Sequence, residues 1–116
     1  MKKVQSADGT TIAFDQLGKG PAVILVGGAL DSETAQLAPL LAQHFTVFHY
    51  DRRRRGESTD TQPYAVEREI EDIEALITEA GGQAAVFGIS SGAALALEAA
   101  IKLGVKVKKL AIYEAP

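Results

Sequence analysis

The chain has 116 residues, of which 47% are apolar and 23% charged, and its formal net charge is −3. That length suits one domain or part of one, and the balance is that of an ordinary globular protein, which excludes a disordered tail and offers no basic face to nucleic acid. No cysteine is present, so a disulfide framework and a thiolate metal site are excluded, and the charged Met1-Lys2-Lys3 start is followed by no apolar run.

Lys3 to Ser6 and Thr10 to Leu17 read as an antiparallel hairpin across Ala7-Asp8-Gly9, where Asp-Gly supplies the turn chemistry. Ala22 to Val26 is a continuous apolar run, the pattern of a strand covered on both faces, and Gly27-Gly28 ends it. Ala35 to Gln43 follows as a modest helix with Pro39 in or near its first turn, then Phe45 to Tyr50 as a strand. The clearest helix is Tyr64 to Ala80. In it Val66, Ile70, Ile73 and Ile77 recur at helical spacing, Glu67, Glu69, Glu71, Asp72 and Glu74 occupy the other faces, and Gly81-Gly82 makes the stop. Ala84 to Ile89 reads as a strand, Ser91 to Leu103 as an alanine-rich helix, and Lys109 to Tyr113 as a last strand after Gly104. Strands alternating with helices after a hairpin predict an α/β fold with a mostly parallel sheet and helices on both faces. No stretch is long and apolar enough for a membrane span, and a cytoplasmic protein is expected.

The strand and helix on either side of residue 90 are joined by Gly88-Ile89-Ser90-Ser91-Gly92, a Gly-x-Ser-x-Gly sequence. A serine on a very sharp strand-to-helix turn is held in strained backbone geometry, and a Cβ two residues before or after it would collide with neighbouring backbone. Ser90 has glycines at both positions. Ser91 has Ile89 and Ala93 there, so Ser90 is the candidate nucleophile and Ser91 contributes its backbone N–H.

Three landmarks stand in fixed order: the strand ending in Gly27-Gly28-Ala29, the strand running into Asp51-Arg52-Arg53-Arg54-Arg55-Gly56-Glu57-Ser58, and the Ser90 turn. Together they resemble the α/β-hydrolase fold over nearly the whole chain. The resemblance implies six strands in the order 1-2-4-3-5-6, with strands 3 to 6 parallel, as a single partial core over residues 1–116. It also implies an oxyanion hole built from the backbone N–H groups of Ala29 and Ser91, two aimed donors that stabilise the charge developing in acyl transfer. Two departures stand out. The first loop begins Gly27-Gly28 where the family has His-Gly, and Arg54 stands at the first glycine of Asp-x-Arg-Gly-x-Gly-x-Ser, which predicts backbone strain at Arg54. The run Arg52 to Arg55 reads as a solvated turn with one or two structural ion pairs rather than a phosphate or RNA site.

A serine hydroxyl needs a base, and in this fold the acid and then the histidine follow the serine. No histidine follows Ser90; His44 and His49 precede it and read as structural or solvated, and Glu114 reads as a loop carboxylate. The expected protein is therefore the N-terminal half of a serine hydrolase of esterase or lipase type, its lid and C-terminal half lying outside these residues. It would act on a small-molecule ester without cofactor or metal. The last strand would meet either a complementary C-terminal chain or a symmetry mate. The alternatives are a cofactor-free haloperoxidase or lactonase on the same fold, or a non-catalytic assembly module. An epoxide hydrolase is disfavoured because it would carry a carboxylate at the position of Ser90. Nucleotide binding is disfavoured because neither Gly-x-Gly-x-x-Gly nor a P-loop occurs.

Overall fold

The structure, a computed structural model, describes residues 1–27 and 32–113. The opening hairpin forms from β1 (Lys2–Gln5) and β2 (Thr11–Leu17), with Gly9 at φ 89° in the turn. β3 (Ala22–Val26), β4 (Thr46–Tyr50), β5 (Ala84–Ile89) and β6 (Val107–Tyr113) complete a six-stranded sheet in the order β1-β2-β4-β3-β5-β6. β1 and β2 pair antiparallel, as do β2 and β4, whereas β3–β4, β3–β5 and β5–β6 are parallel. Fold class and strand order are thus those expected from the sequence. Among the described residues no helix is long and apolar enough to cross a membrane.

Period-2 alternation divides the strand side chains between two cores. On one face Ile24 and Val26 of β3, Phe48 and Tyr50 of β4 and Val86 of β5 pack against α2 (Val66–Glu79) and α3 (Ser91–Leu103). On the other, Leu25, Val47 and Ile89 pack with Ala38 of α1 (Ser32–Leu41). Phe14 and Phe48 stack across the β2–β4 pair with ring centroids 5.7 Å apart.

Three expectations need correction. α1 starts at Ser32, so Pro39 falls near its C-terminal end instead of its first turn, where its missing N–H interrupts a helix that is about to stop. Val66 opens α2 and is 38% exposed; the buried stripe is Ile70, Ile73, Leu76 and Ile77. Glu69 and Asp72, expected on solvated faces of that helix, are buried at 4% and 1% exposure because arginines from another loop reach them.

Candidate active site

β3 leads to β4 on one side of the sheet, and the strand on its other side is β5. A crevice at the carboxyl ends of strands opens at such a reversal, which is where ligands bind in open α/β sheets. Ser90 follows directly from β5 at this point, is exposed, and caps the N-terminus of α3. Its backbone is at φ 58°, ψ −125°, a strained conformation for a residue with a side chain. In the extended conformation usual for an N-cap, a serine hydroxyl accepts a bond from the first helical turn. Here it makes no such bond. The positive end of the α3 dipole lies beside Ser90, with no acidic residue in the first turn to oppose it.

Crowding around the turn explains both glycines. A Cβ on Gly88 would lie 2.5 Å from the Gly92 carbonyl oxygen and 2.6 Å from Cβ of Ala96, and one on Gly92 would strike the carbonyl oxygens of Val26 and Gly27. Backbone meets backbone at these positions, so no side-chain rotation relieves the overlap. The turn is also tied to the sheet edge, since the Ser90 N–H donates to the Tyr113 carbonyl at 3.0 Å.

The four-arginine loop after β4 divides its labour. Arg53, whose side chain is 0% exposed, lies beneath the loop, with Nε and Nη2 2.8 and 2.7 Å from the two Asp72 oxygens and Nη1 2.9 Å from Asp8. The hydrogen bond from Arg53 holds the Asp8 carboxyl well below the usual carboxylate range, with Thr10 adding to it. Arg52 turns the other way and grips Glu69 through both edges of its fork, at 2.8 and 2.9 Å. Burial pushes the Glu69 carboxyl up, but the bonds from Arg52 and Tyr64 outweigh it and leave it lowered. The free end of Arg52, Nη1, reaches the Gly27 carbonyl at 3.1 Å and the Ser91 hydroxyl at 3.3 Å. The turn expected here has the structural ion pairs read from the sequence, at Arg52 and Arg53, but is buried at Arg53 and largely covered at Arg52 instead of solvated, while the side chain of Arg54 is 58% exposed beside Asp60.

Arg54 stands at φ 74°, which is the strain its place in the motif predicts. Its N–H donates to the Thr59 carbonyl at 3.0 Å and fixes that conformation. Ser58 closes the same loop, donating to the Asp51 carbonyl at 2.6 Å and accepting the Ala13 N–H at 2.9 Å. A left-handed conformation costs a residue with a side chain about 1–2 kcal/mol, and the exposed pair with Asp60 returns less than ~1 kcal/mol. Arg54→Gly is expected to raise stability by up to about 1 kcal/mol in urea unfolding. A loss of stability would show that the Arg54 side chain contributes more than its backbone costs.

Of the other residues singled out by sequence, Ser91 opens α3. Ala29 and Glu114 lie outside the described residues. His44 is exposed just after α1, and His49 on β4 has Nε2 3.2 Å from the Thr34 hydroxyl. The residue that sequence reasoning missed at this crevice is Arg52. The only signal for it was its place in a run read as a turn.

The family model for the alpha/beta hydrolase family matches residues 22–116. An alpha/beta hydrolase from Sphaerobacter thermophilus is 57% identical and superposes with a TM-score of 0.89 over 96% of this chain and 44% of that one. A hydrolase from Pseudomonas aeruginosa is 28% identical, with a TM-score of 0.81, over 94% of this chain and 43% of its own. The Mycobacterium tuberculosis protein named "Probable oxidoreductase EphD" is 37% identical over 83 residues, which are 66% of this chain and 14% of that protein. The chain thus spans less than half the length of each of these relatives.

Proposed function

The chain belongs to the alpha/beta hydrolase family, and from that premise we propose that it carries the nucleophile of a carboxylic-ester hydrolase, with Ser90 in that role. The observation that carries the reading is the conformation of Ser90: φ 58° at the exposed tip of a strand-to-helix turn that only glycines at 88 and 92 permit. This arrangement is a nucleophile elbow. The Ser90 Oγ attacks the ester carbonyl carbon, its proton passing to a base, and the carbonyl oxygen becomes an oxyanion. The Ser91 N–H, at the positive end of α3, is one donor to that oxygen, and the Ala29 N–H is assigned as the other. Collapse expels the alcohol, which takes up the proton, and water then releases the acid from the acyl-enzyme.

The acid and base come from polypeptide outside these residues, a complementary segment of the hydrolase domain. It would join at β6, the sheet's outer strand, whose Ile112 and Tyr113 are 45% and 56% exposed. Removing triad members leaves only the contribution of the oxyanion hole and binding, so the 116-residue chain alone is expected to hydrolyse a nitrophenyl ester about 10⁴-fold or more below a complete enzyme. The test is a chimera in which this chain replaces its counterpart in the Sphaerobacter thermophilus hydrolase. Ester turnover by the chimera, lost on Ser90→Ala, supports the reading. A folded, inert chimera overturns it in favour of a non-catalytic module, and full turnover by the isolated chain overturns the assignment of the missing base.

A further inference from the structure

We propose that the α1 side of β5 is a seat for one amphipathic helix, and that seating this helix clamps the Ser90 turn through Tyr113, an inference that rests on a complementary segment completing the hydrolase domain. The two faces of the sheet are unequally covered. On the α2 and α3 side Ala84 and Val86 of β5 are each 1% exposed, whereas Ala85 and Phe87, which alternate onto the α1 side, are only half-buried. Two cavities lie end to end along that side of the strand. The upper, about 250 Å³, is lined by Leu37 of α1 with Phe87, Ile89 and Tyr113, and the lower, about 310 Å³, by residues that include Phe45, Ala85, Lys108 and Lys109. β5 has 6 residues, a length of about 20 Å that roughly four turns of helix would span.

The occupant is a helix of the complementary segment. This chain covers 44% of the Sphaerobacter thermophilus hydrolase, so more than half of such a protein is polypeptide available to close an open face. Charge fixes the direction. α1, α2 and α3 each connect one parallel strand to another and so run back from the carboxyl to the amino ends of the strands. A further crossover helix laid beside α1 brings its C-terminus to the amino ends of β5 and β6, where Lys108 and Lys109 line the lower cavity. Among the described residues neither lysine is in an ion pair, and cations there complement the negative pole of a helix C-terminus. The upper cavity is continuous with the β6 edge at Tyr113, whose carbonyl accepts the Ser90 N–H at 3.0 Å. Among the described residues β6 is paired on one side only, and the end of such a strand opens readily. A helix packed against Tyr113 holds that end in place, and with it the backbone bond that ties the Ser90 turn to the sheet.

The experiment compares the isolated 116-residue chain with the chimera described above, through N-ethylmaleimide labelling of Ala85→Cys read by peptide mass; the chain has no cysteine of its own. In the isolated chain residue 85 is expected to label within about tenfold of a free thiol, and in the chimera about a hundredfold or more slower, with exchange of the Ser90 amide slowed about tenfold or more in the same comparison. Lys108→Glu combined with Lys109→Glu is expected to leave the urea midpoint of the isolated chain unchanged and to raise labelling of the chimera about two- to fivefold. Slow labelling of the isolated chain that is relieved by dilution identifies a second copy as the occupant and overturns the proposal; slow labelling that persists on dilution overturns it too, since the face is then closed without a partner. Equal labelling in chain and chimera shows that no helix sits on β5 and overturns the seat, and unchanged labelling in the double lysine variant overturns its direction. Protection at residue 85 without slower exchange at Ser90 overturns the clamp. Ester turnover separates this proposal from the catalytic reading: an active chimera with residue 85 unprotected loses the seat alone, and an inert one with residue 85 protected keeps the seat and loses the nucleophile.

Discussion

Ser90→Ala is expected to reduce fluorophosphonate labelling of the chimera to background, while Ser91→Ala retains it within about fivefold. The contrast follows from backbone geometry. Both residues are serines at the start of the same helix, both are exposed, and they are adjacent in sequence, so composition and accessibility do not separate them. Ser90 sits at φ 58° ahead of the helix, with its hydroxyl outside the capping pattern. Ser91 is already helical, and its hydroxyl accepts a hydrogen bond from Arg52 at 3.3 Å, which engages the lone pair an attacking oxygen would need. Removing that hydroxyl loses one hydrogen bond, worth about 1 kcal/mol or roughly fivefold, but leaves the Ser91 backbone N–H in place. Labelling of Ser90→Ala at the wild-type rate, or complete loss in Ser91→Ala with the fold intact, would overturn the assignment. Labelling is measured on the chimera with the Sphaerobacter thermophilus hydrolase, in which the complementary segment supplies the base that activates the serine.

The features legible in the sequence are those set by local rules. The run Ala84 to Ile89 and the helix Ser91 to Leu103 form with the bounds read from the sequence, because the apolar strand, the Gly-x-Ser-x-Gly turn and the alanine-rich segment each favour one backbone state. Strain at Arg54 was legible for a similar reason, a motif that asks for glycine at that place. Contacts made at long range were not legible. Glu69 and Asp72 look like solvated members of an acidic helix, since the one basic residue between residues 66 and 79 is Arg68, which pairs with Glu71. Their partners arrive from a loop 17 and 19 positions earlier in the chain. The Arg52–Ser91 contact spans 39 positions and exists only because the β4 loop and the α3 N-terminus meet at the same end of the sheet. A charge run thus hid two roles, a buried anchor and a bridge beside Ser90, that only the fold separates.

Asp72→Ala is expected to destabilise the chain by about 3–5 kcal/mol, the range for breaking a buried ion pair by removing one partner. For a small domain whose whole stability is about 5–15 kcal/mol, that is enough to leave a substantial unfolded fraction. The magnitude comes from what remains. The Arg53 side chain is 0% exposed and Asp72 1%, so deleting the carboxylate strands a guanidinium that cannot reach water. Asp8 still offers 2.9 and 3.3 Å contacts to Nη1 and Nη2, but the Nε position facing Asp72 is left unpaired. Asp8→Ala should cost less, because Asp8 is 14% exposed and its loss leaves the bidentate Asp72 pair intact. Arg53→Met in the Asp72→Leu background separates pairing from packing, since it replaces both charges by apolar groups of similar volume and should recover most of the loss. Urea unfolding of these variants measures all of this. If Asp72→Ala shifts the unfolding free energy by less than about 1 kcal/mol, the pair is solvated in solution and does not anchor the arginine loop.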